Sequence, residues 1–302
     1  MNIFSIFISK IIKFKLFKLA KESKITSENF ISKGSIQETM LGTLWARATY
    51  SKLYPELLND EKAIEIIEKV DHNFSEAKEF LTGKNEFRSF GLLVRAKRFE
   101  NALLKYMENY PYTTVVNLGA GLDTTFFRVD NGKIKWYDLD LSNAIEFRNQ
   151  LIPEGPRNKC ISKSVLDFSW FDDIEWSREN GIFFIAGGFV YYFKQEDLKE
   201  LFNSIMLKFP GAEIIFDAIS KLALRKFNQL AKKAGKGEAV YFSVKNPENL
   251  FPLWSEKIEV VDWFTLWTRM EINPAWNNRT IKMIKLIRRL NTSKIVQLRF
   301  LK

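Results

Sequence analysis

Residues 111–302 are expected to form an α/β fold, a doubly wound and mostly parallel seven-stranded sheet with helices on both faces. Three observations carry this. Up to Tyr110 the apolar residues recur three and four apart, as they do on helices. From Thr113 onward, short apolar and β-branched runs alternate with helical stretches. Glycine or proline stands at several of the joints. Strands and helices that alternate at these lengths bury both faces of a parallel sheet.

In chain order, residues 1–110 read as a helical cap. It holds "IQETMLGTLWARATYSKLY", then "NDEKAIEIIEKV" with Asn59 or Asp60 as N-cap, then "FGLLVRAKRFENALLKYMENY", which Pro111 ends. The core follows, with a strand at Thr114–Leu118, a helix from about Asp123, a strand at Lys133–Asp138 and a helix from about Ser142. Strands near Lys159–Val165 and at Ile182–Ala186 come next, then the helix "KQEDLKELFNSIMLKF" and the strand "GAEIIFDAIS", opened by Pro210-Gly211. A helix from Lys221 begins an insertion of about 221–254 that carries Tyr241, Phe242, Phe251 and Trp254; a connection of that length reads as a lid or substrate pocket. The strands "KIEVVDWFTL" and "KIVQLRFL" close the chain, and no repeat or low-complexity tract interrupts it.

Composition narrows the function. With 302 residues, 46% of them hydrophobic, the chain can fill a large core. One cysteine, Cys160, excludes an intrachain disulfide and points to a reducing, cytoplasmic setting. One histidine, His72, leaves no zinc cluster and no histidine relay, so no metal is expected. The net charge of +10 is concentrated at the ends: residues 1–33 carry +5 and 279–302 carry +8, which leaves the middle at −3. A body of that sign has no basic channel for nucleic acid. The N-terminus "MNIFSIFISKIIKFKLFKLAKES" is broken by Lys10, Lys13, Lys15 and Lys18 well short of the ~20 apolar residues a membrane span requires. Such a basic helix can rest on an anionic membrane surface, although packing on its own domain is the preferred expectation.

The stretch "TTVVNLGAGLDTTFFR" runs from the first core strand through two glycines toward a helix. In an open parallel sheet this joint floors the ligand crevice. Gly119 turns the chain, Gly121 lets backbone approach a ligand without a Cβ, and a helix starting at Asp123 directs its first N–H groups upward. Asp138 and Asp140 stand nineteen and twenty-one residues after Gly119, where an acid at the end of the next strand accepts from ribose hydroxyls. A nucleoside is therefore expected. A dinucleotide fits less well, because Thr124 replaces the third glycine and Asp123 places negative charge where a pyrophosphate would lie; S-adenosylmethionine has no phosphate.

With those residues in place, the chain resembles the S-adenosylmethionine-dependent O-methyltransferases of the leucine carboxyl methyltransferase and tetracenomycin-type polyketide methyltransferase family, whose core is Rossmann-like. The likeness runs through "QETMLGTLWARA", "LLVRAKRFENALLKY", the glycine loop, "WYDLDLSNAIEFRNQLIP", "VLDFSWFDDI" and "IAGGFVYYF". It implies that Gly119, Ala120, Gly121 and Asp123 floor the cofactor site and that Asp140, or Asp138, binds the ribose. It also implies that Arg95 pairs with the cofactor carboxylate, a task suited to a planar guanidinium. Val165, Leu166 and Asp167 would meet the adenine, with Ser164 where the family often has Asp. Ala186 and Gly187 would flank the methyl-transfer centre, with Gly187 where many relatives carry an acid. Tyr191 and Tyr192 would orient the acceptor.

A sulfonium methyl needs only an aligned nucleophile and exclusion of water, so no histidine is required. A carboxylate acceptor needs no base, whereas a phenol would benefit from Asp217 or a tyrosine. The expected activity is transfer to a hydroxyl or carboxylate of a small molecule, with a polyketide-like metabolite as one class. The alternatives are a protein C-terminal carboxyl methyltransferase, a nicotinamide-dependent oxidoreductase, and a cofactor-binding protein without turnover. Oligomeric state is left open.

Overall fold

The computed structural model describes residues 25–26, 36–233 and 239–301. Seven strands form the main sheet: β1 (Thr114–Leu118), β2 (Lys135–Asp140), β3 (Asn158–Ser162), β4 (Ile182–Ala186), β5 (Glu213–Ile219), β6 (Ile258–Thr265) and β7 (Ser293–Phe300). Their order is β3-β2-β1-β4-β5-β7-β6, with β1 to β5 parallel and β7 antiparallel to both of its neighbours. The direction of winding reverses between β1 and β4, which puts the ligand crevice of such a sheet above their carboxyl ends.

Every residue of β1, β4 and β5 is buried, as expected for strands covered on both faces. Successive side chains go to opposite cores. Val116, Leu118 and Phe184 join Phe202, Phe216 and Trp254 on one face, whereas Val115, Phe183 and Ile185 join Phe90, Leu93 and Leu103 on the other.

The helices are α1 (Ile36–Leu53), α2 (Glu61–Lys69), α3 (Ser75–Leu81), α4 (Glu86–Met107), α5 (Ser142–Leu151), α6 (Gln195–Lys208), α7 (Lys221–Lys233) and α8 (Asn278–Leu290), with single turns between them. Asp60 is the N-cap of α2 and accepts from the Ala63 N–H. Met40, Leu41 and Leu44 of α1 share a core with Leu122 of the glycine loop and with Ala144 and Phe147 of α5, so the first helix packs beside the crevice. The two-residue strand Ile25–Thr26 pairs with Val70–Asp71. The expected basic N-terminal helix lies outside the described residues. Among the described residues no helix is long and apolar enough to cross a membrane.

The start of one helix and the ends of two strands differ from expectation. The helix expected from Asp123 is the single turn Phe126–Val129; the Asp123 carboxylate accepts from the Thr125 N–H at 2.7 Å, a local turn that competes with a helical start. β2 extends to Asp140, two residues beyond the expected end, and β3 stops at Ser162. A helix, α8, fills the stretch before the last strand, where Ile281, Ile284 and Ile287 keep helical spacing. In the 221–254 insertion, Phe242, Phe251 and Trp254 belong to the main core, while Tyr241 remains half exposed.

Candidate active site

At the end of β1 the chain turns through Gly119 (φ +65°) and Gly121 (φ +48°), backbone that L side chains rarely adopt. Several of the loop's own amides are already spent. Gly119 and Ala120 donate to the Leu139 carbonyl, and Gly121 donates to Asp140 Oδ2 at 2.8 Å. On the other side, Arg148 Nη1 donates to the Gly121 and Asp123 carbonyls, and Arg47 Nη2 donates to that of Leu122. These bonds brace the loop from both sides and commit the Gly119, Ala120 and Gly121 amides to the protein itself. A Cβ on Gly121 would meet Met40 at 3.4 Å, and one on Gly119 would stand 2.2 Å from Phe189 Cδ2.

The two aspartates separate cleanly. Asp138 is 1% exposed, and its oxygens accept from Arg148 Nη2 at 2.6 Å, Trp136 Nε1 at 2.9 Å and Asn117 Nδ2 at 3.0 Å. Buried and engaged at both oxygens, Asp138 is shut off from a sugar in the crevice, which corrects its place among the cofactor-binding candidates. Asp140 is only part-buried, and each of its oxygens accepts one backbone N–H, from Gly121 and Leu141, so each retains acceptor capacity. Burial raises the Asp140 pKa, with the two N–H groups pulling against it.

On the other side of β1, Arg95 of α4 reaches the ends of β4 and β5. Its Nη1 lies 3.3 Å from Asp217 Oδ2, and Asp217 Oδ1 accepts from the Gly188 N–H at 2.5 Å. Gly188 has φ +72°, and a Cβ there would lie 2.8 Å from Arg95 Nη1 and 3.3 Å from the Tyr191 hydroxyl, so glycine admits both groups. Burial opposes the Arg95 charge, and Asp217 with Tyr191 more than restores it. The Tyr191 phenol is pushed well above the ordinary range, first by burial and then by Asp217, with Arg95 opposing. That environment favours the neutral hydroxyl of Tyr191 over a phenolate. Tyr192 is half exposed and packs against Tyr191 with its ring tilted by 56°, the centroids 4.8 Å apart.

Ala186 is buried at the end of β4, and Gly187 follows it with Phe99 Cε2 3.0 Å from where a Cβ would stand. In the loop after β3, Val165 is buried, Leu166 is exposed, and Asp167 caps the turn Phe168–Asp173 by accepting from the Ser169 N–H. A cavity of about 1100 Å³ opens at the opposite end of the strands, lined by Arg98, Tyr106, Glu213 and Arg299, away from the residues above.

Comparison with known proteins matches the family model described as leucine carboxyl methyltransferase over residues 40–206, more than half of the chain. The chain belongs to this family. It is therefore an S-adenosyl-L-methionine-dependent methyltransferase. It is 28% identical over 218 residues to the tetracenomycin polyketide synthesis O-methyltransferase TcmP of Streptomyces glaucescens, covering 71% of this chain and 77% of that one. It is 22% identical over 222 residues to the S-adenosyl-L-methionine-dependent methyltransferase dpfgK of Gibberella zeae, covering 68% and 74%. Among solved structures, a duf574 family protein from Streptomyces avermitilis superposes with a TM-score of 0.52 at 10% identity, covering 85% of this chain and 97% of that one. That likeness speaks for the fold alone.

Several residues that organise this family member's site escaped the sequence reading. Asp60, fully buried, pairs with Arg47 at 3.1 Å and Arg128 at 3.0 Å and accepts from the Thr124 hydroxyl. Burial alone would raise its pKa, but the two guanidinium groups and the Thr124 and Ala63 hydrogen bonds win, and the net shift is downward. Thr124, read only as a missing glycine, is thus the tie between the loop and the cap. Arg148 and Phe189 lie inside stretches quoted for the resemblance, yet nothing in their spacing marks one as the clamp of the loop and the other as a ring across Gly119.

The residues fit the family's cofactor. Asp140 has free acceptor capacity for sugar hydroxyls, Arg95 and Asp217 present both signs of charge, and the backbone at Gly119 and Gly188 carries no Cβ. Phe189, packed against Gly119, must yield space to a ligand lying there.

Proposed function

We propose that this protein transfers the methyl group of S-adenosyl-L-methionine to a hydroxyl or carboxylate oxygen of a small molecule, with polyketide-like metabolites the first class to test. The observation that carries this reading is the pairing of Asp140 with the Gly121 N–H. It ties the acid at the end of β2 to the glycine loop and leaves acceptor capacity at the crevice. The likeness to TcmP supports an oxygen acceptor.

In this reading Asp140 accepts from the ribose hydroxyls, and Gly119, Ala120, Gly121 and Asp123 form the floor beneath them. Val165, Leu166 and Asp167 border the base. Arg95 holds the carboxylate, and Ala186 and Gly187 leave room beside the reacting carbon. Once bound, the cofactor supplies an activated sulfonium methyl. Tyr191 and Tyr192 orient the acceptor oxygen for an in-line approach, and the packed segment after α7 helps to exclude water. A carboxylate acceptor, which the family's description favours, needs no base; a phenol would pass its proton to solvent or to a neighbouring carboxylate.

The test is incubation of the purified chain with S-adenosyl-L-methionine and a panel of phenols, small carboxylic acids and a peptide ending in leucine, read by mass spectrometry. A methyl ether or ester on a small molecule is expected. Methylation of the peptide alone would replace the small-molecule reading with the protein carboxyl reading, and no product over any acceptor would refute both.

A further inference from the structure

The pair formed by Arg95 and Asp217 sits where a ligand would reach it. It is joined through one contact of 3.3 Å and not by a two-pronged fork, and both side chains keep some exposure, 21% and 11%. Asp217 is steadied by the Gly188 N–H, and Arg95 lies close to the Tyr191 hydroxyl. Here a cation and an anion are held at a spacing close to that between the two charges of one α-amino acid.

We infer that Asp217 is the carboxylate that receives the ammonium group of the cofactor's amino-acid end, so that Arg95 and Asp217 exchange their mutual ion pair for a crossed pair with the bound zwitterion. This rests on the reading of the crevice as an S-adenosyl-L-methionine site and assigns a residue that the reading leaves without a task.

Three features of this chain support it. Gly187, the residue after β4, has no side chain to take the ammonium, and Phe99 Cε2 lies 3.0 Å from where its Cβ would be, so an acid could not be added there without moving the ring. Asp217, on the neighbouring strand, offers the anion that Gly187 cannot. Asp217 is in register for this, because Ala186 of β4 pairs with Phe216 of β5, which brings the next residues side by side. Finally, the exchange never leaves either buried charge without a partner: the two are matched to each other before binding and to the ligand after it, which avoids the penalty of an isolated buried ion.

The test is isothermal titration of the full chain, wild type and variants, with three probes. S-adenosylhomocysteine carries both charges, 5′-(3-aminopropyl)thioadenosine carries the ammonium only, and 5′-methylthioadenosine carries neither. Asp217→Asn should weaken the first two by about 10- to 100-fold and leave methylthioadenosine unchanged. Arg95→Gln should weaken S-adenosylhomocysteine alone. Asp217→Glu, which keeps the charge, should retain most of the affinity and serves as the folding control.

If wild type binds none of the probes, the cofactor reading falls, and the inference with it. If wild type binds S-adenosylhomocysteine and Asp217→Asn binds it equally well, the inference alone is overturned. Equal losses for all three probes would make Asp217 a structural residue and overturn it too.

Discussion

Phe189 lies across Gly119, with its ring so placed that a Cβ on the glycine would stand 2.2 Å from Cδ2. The ring also packs on Phe193, their centroids 4.7 Å apart, and it follows Gly188 with its positive φ. A ligand lying over Gly119 must share that space or displace the ring. Phe189→Ala should therefore bind S-adenosylhomocysteine more tightly, by roughly threefold to tenfold, because the site no longer has to leave a closed state first. Titration calorimetry measures this, and weaker binding would mean that the ring is a contact for the ligand and not an obstacle.

Asp138 and Asp140 should answer mutation in opposite ways. Asp138→Asn leaves the buried Arg148 without a countercharge, so unfolding by urea should show a loss of about 3–5 kcal/mol, with S-adenosylhomocysteine affinity retained in the folded fraction. Asp140→Asn should unfold near the wild-type midpoint but bind the ligand about 10- to 100-fold more weakly. Equal behaviour of the two variants would refute the division of labour.

Acid should act in two stages. Asp140 has a raised pKa, so its carboxylate is neutralised, and ribose binding weakens, at a higher pH than for an ordinary aspartate. Asp60 has a lowered pKa in the folded state. Its ion pairs therefore stabilise the protein fully above the unfolded carboxylate pKa of about 4, and that stability is lost only as pH falls through the folded value. Binding should fail before the fold does. Affinity and circular dichroism followed over the same pH series would show this order, and simultaneous loss would contradict it.

The sequence made the sheet legible because β1, β4 and β5 are mainly apolar runs, each opened by a nearby glycine or proline, a pattern that tertiary context does not override here. The turn after β1 was legible too, since Gly119 and Gly121 do adopt positive φ. What it hid depends on contacts between residues far apart in the chain. Asp138 and Asp140 are both candidates in one strand, and only the position of Arg148, in the second turn of α5, decides which of them is consumed. Likewise, Asp60 is readable as an N-cap, but its second task, tying Thr124 and Arg128 to the cap, spans more than sixty residues of sequence. The short turn in place of a helix at Asp123 reflects the same competition, in which a side chain offers the backbone a local partner before the helix can.

Tyr191 should behave as a donor throughout the working range. Its phenol is held above the ordinary pKa by burial and by Asp217, so the pH profile of turnover should contain no limb from a tyrosinate up to pH about 10. Tyr191→Phe should lower kcat while leaving S-adenosylhomocysteine affinity within a few fold. An alkaline activation that vanishes in Tyr191→Phe would contradict this and restore the base role.

The most direct measurement of the central claim, a nucleoside crevice between Gly119 and Asp140, is a calorimetric titration of the wild-type chain and Asp140→Asn with S-adenosylhomocysteine and with NAD. Stoichiometric binding of S-adenosylhomocysteine by wild type, its marked weakening in Asp140→Asn, and no binding of NAD are predicted. Binding of NAD in preference, or identical affinity for S-adenosylhomocysteine in both proteins, would contradict it.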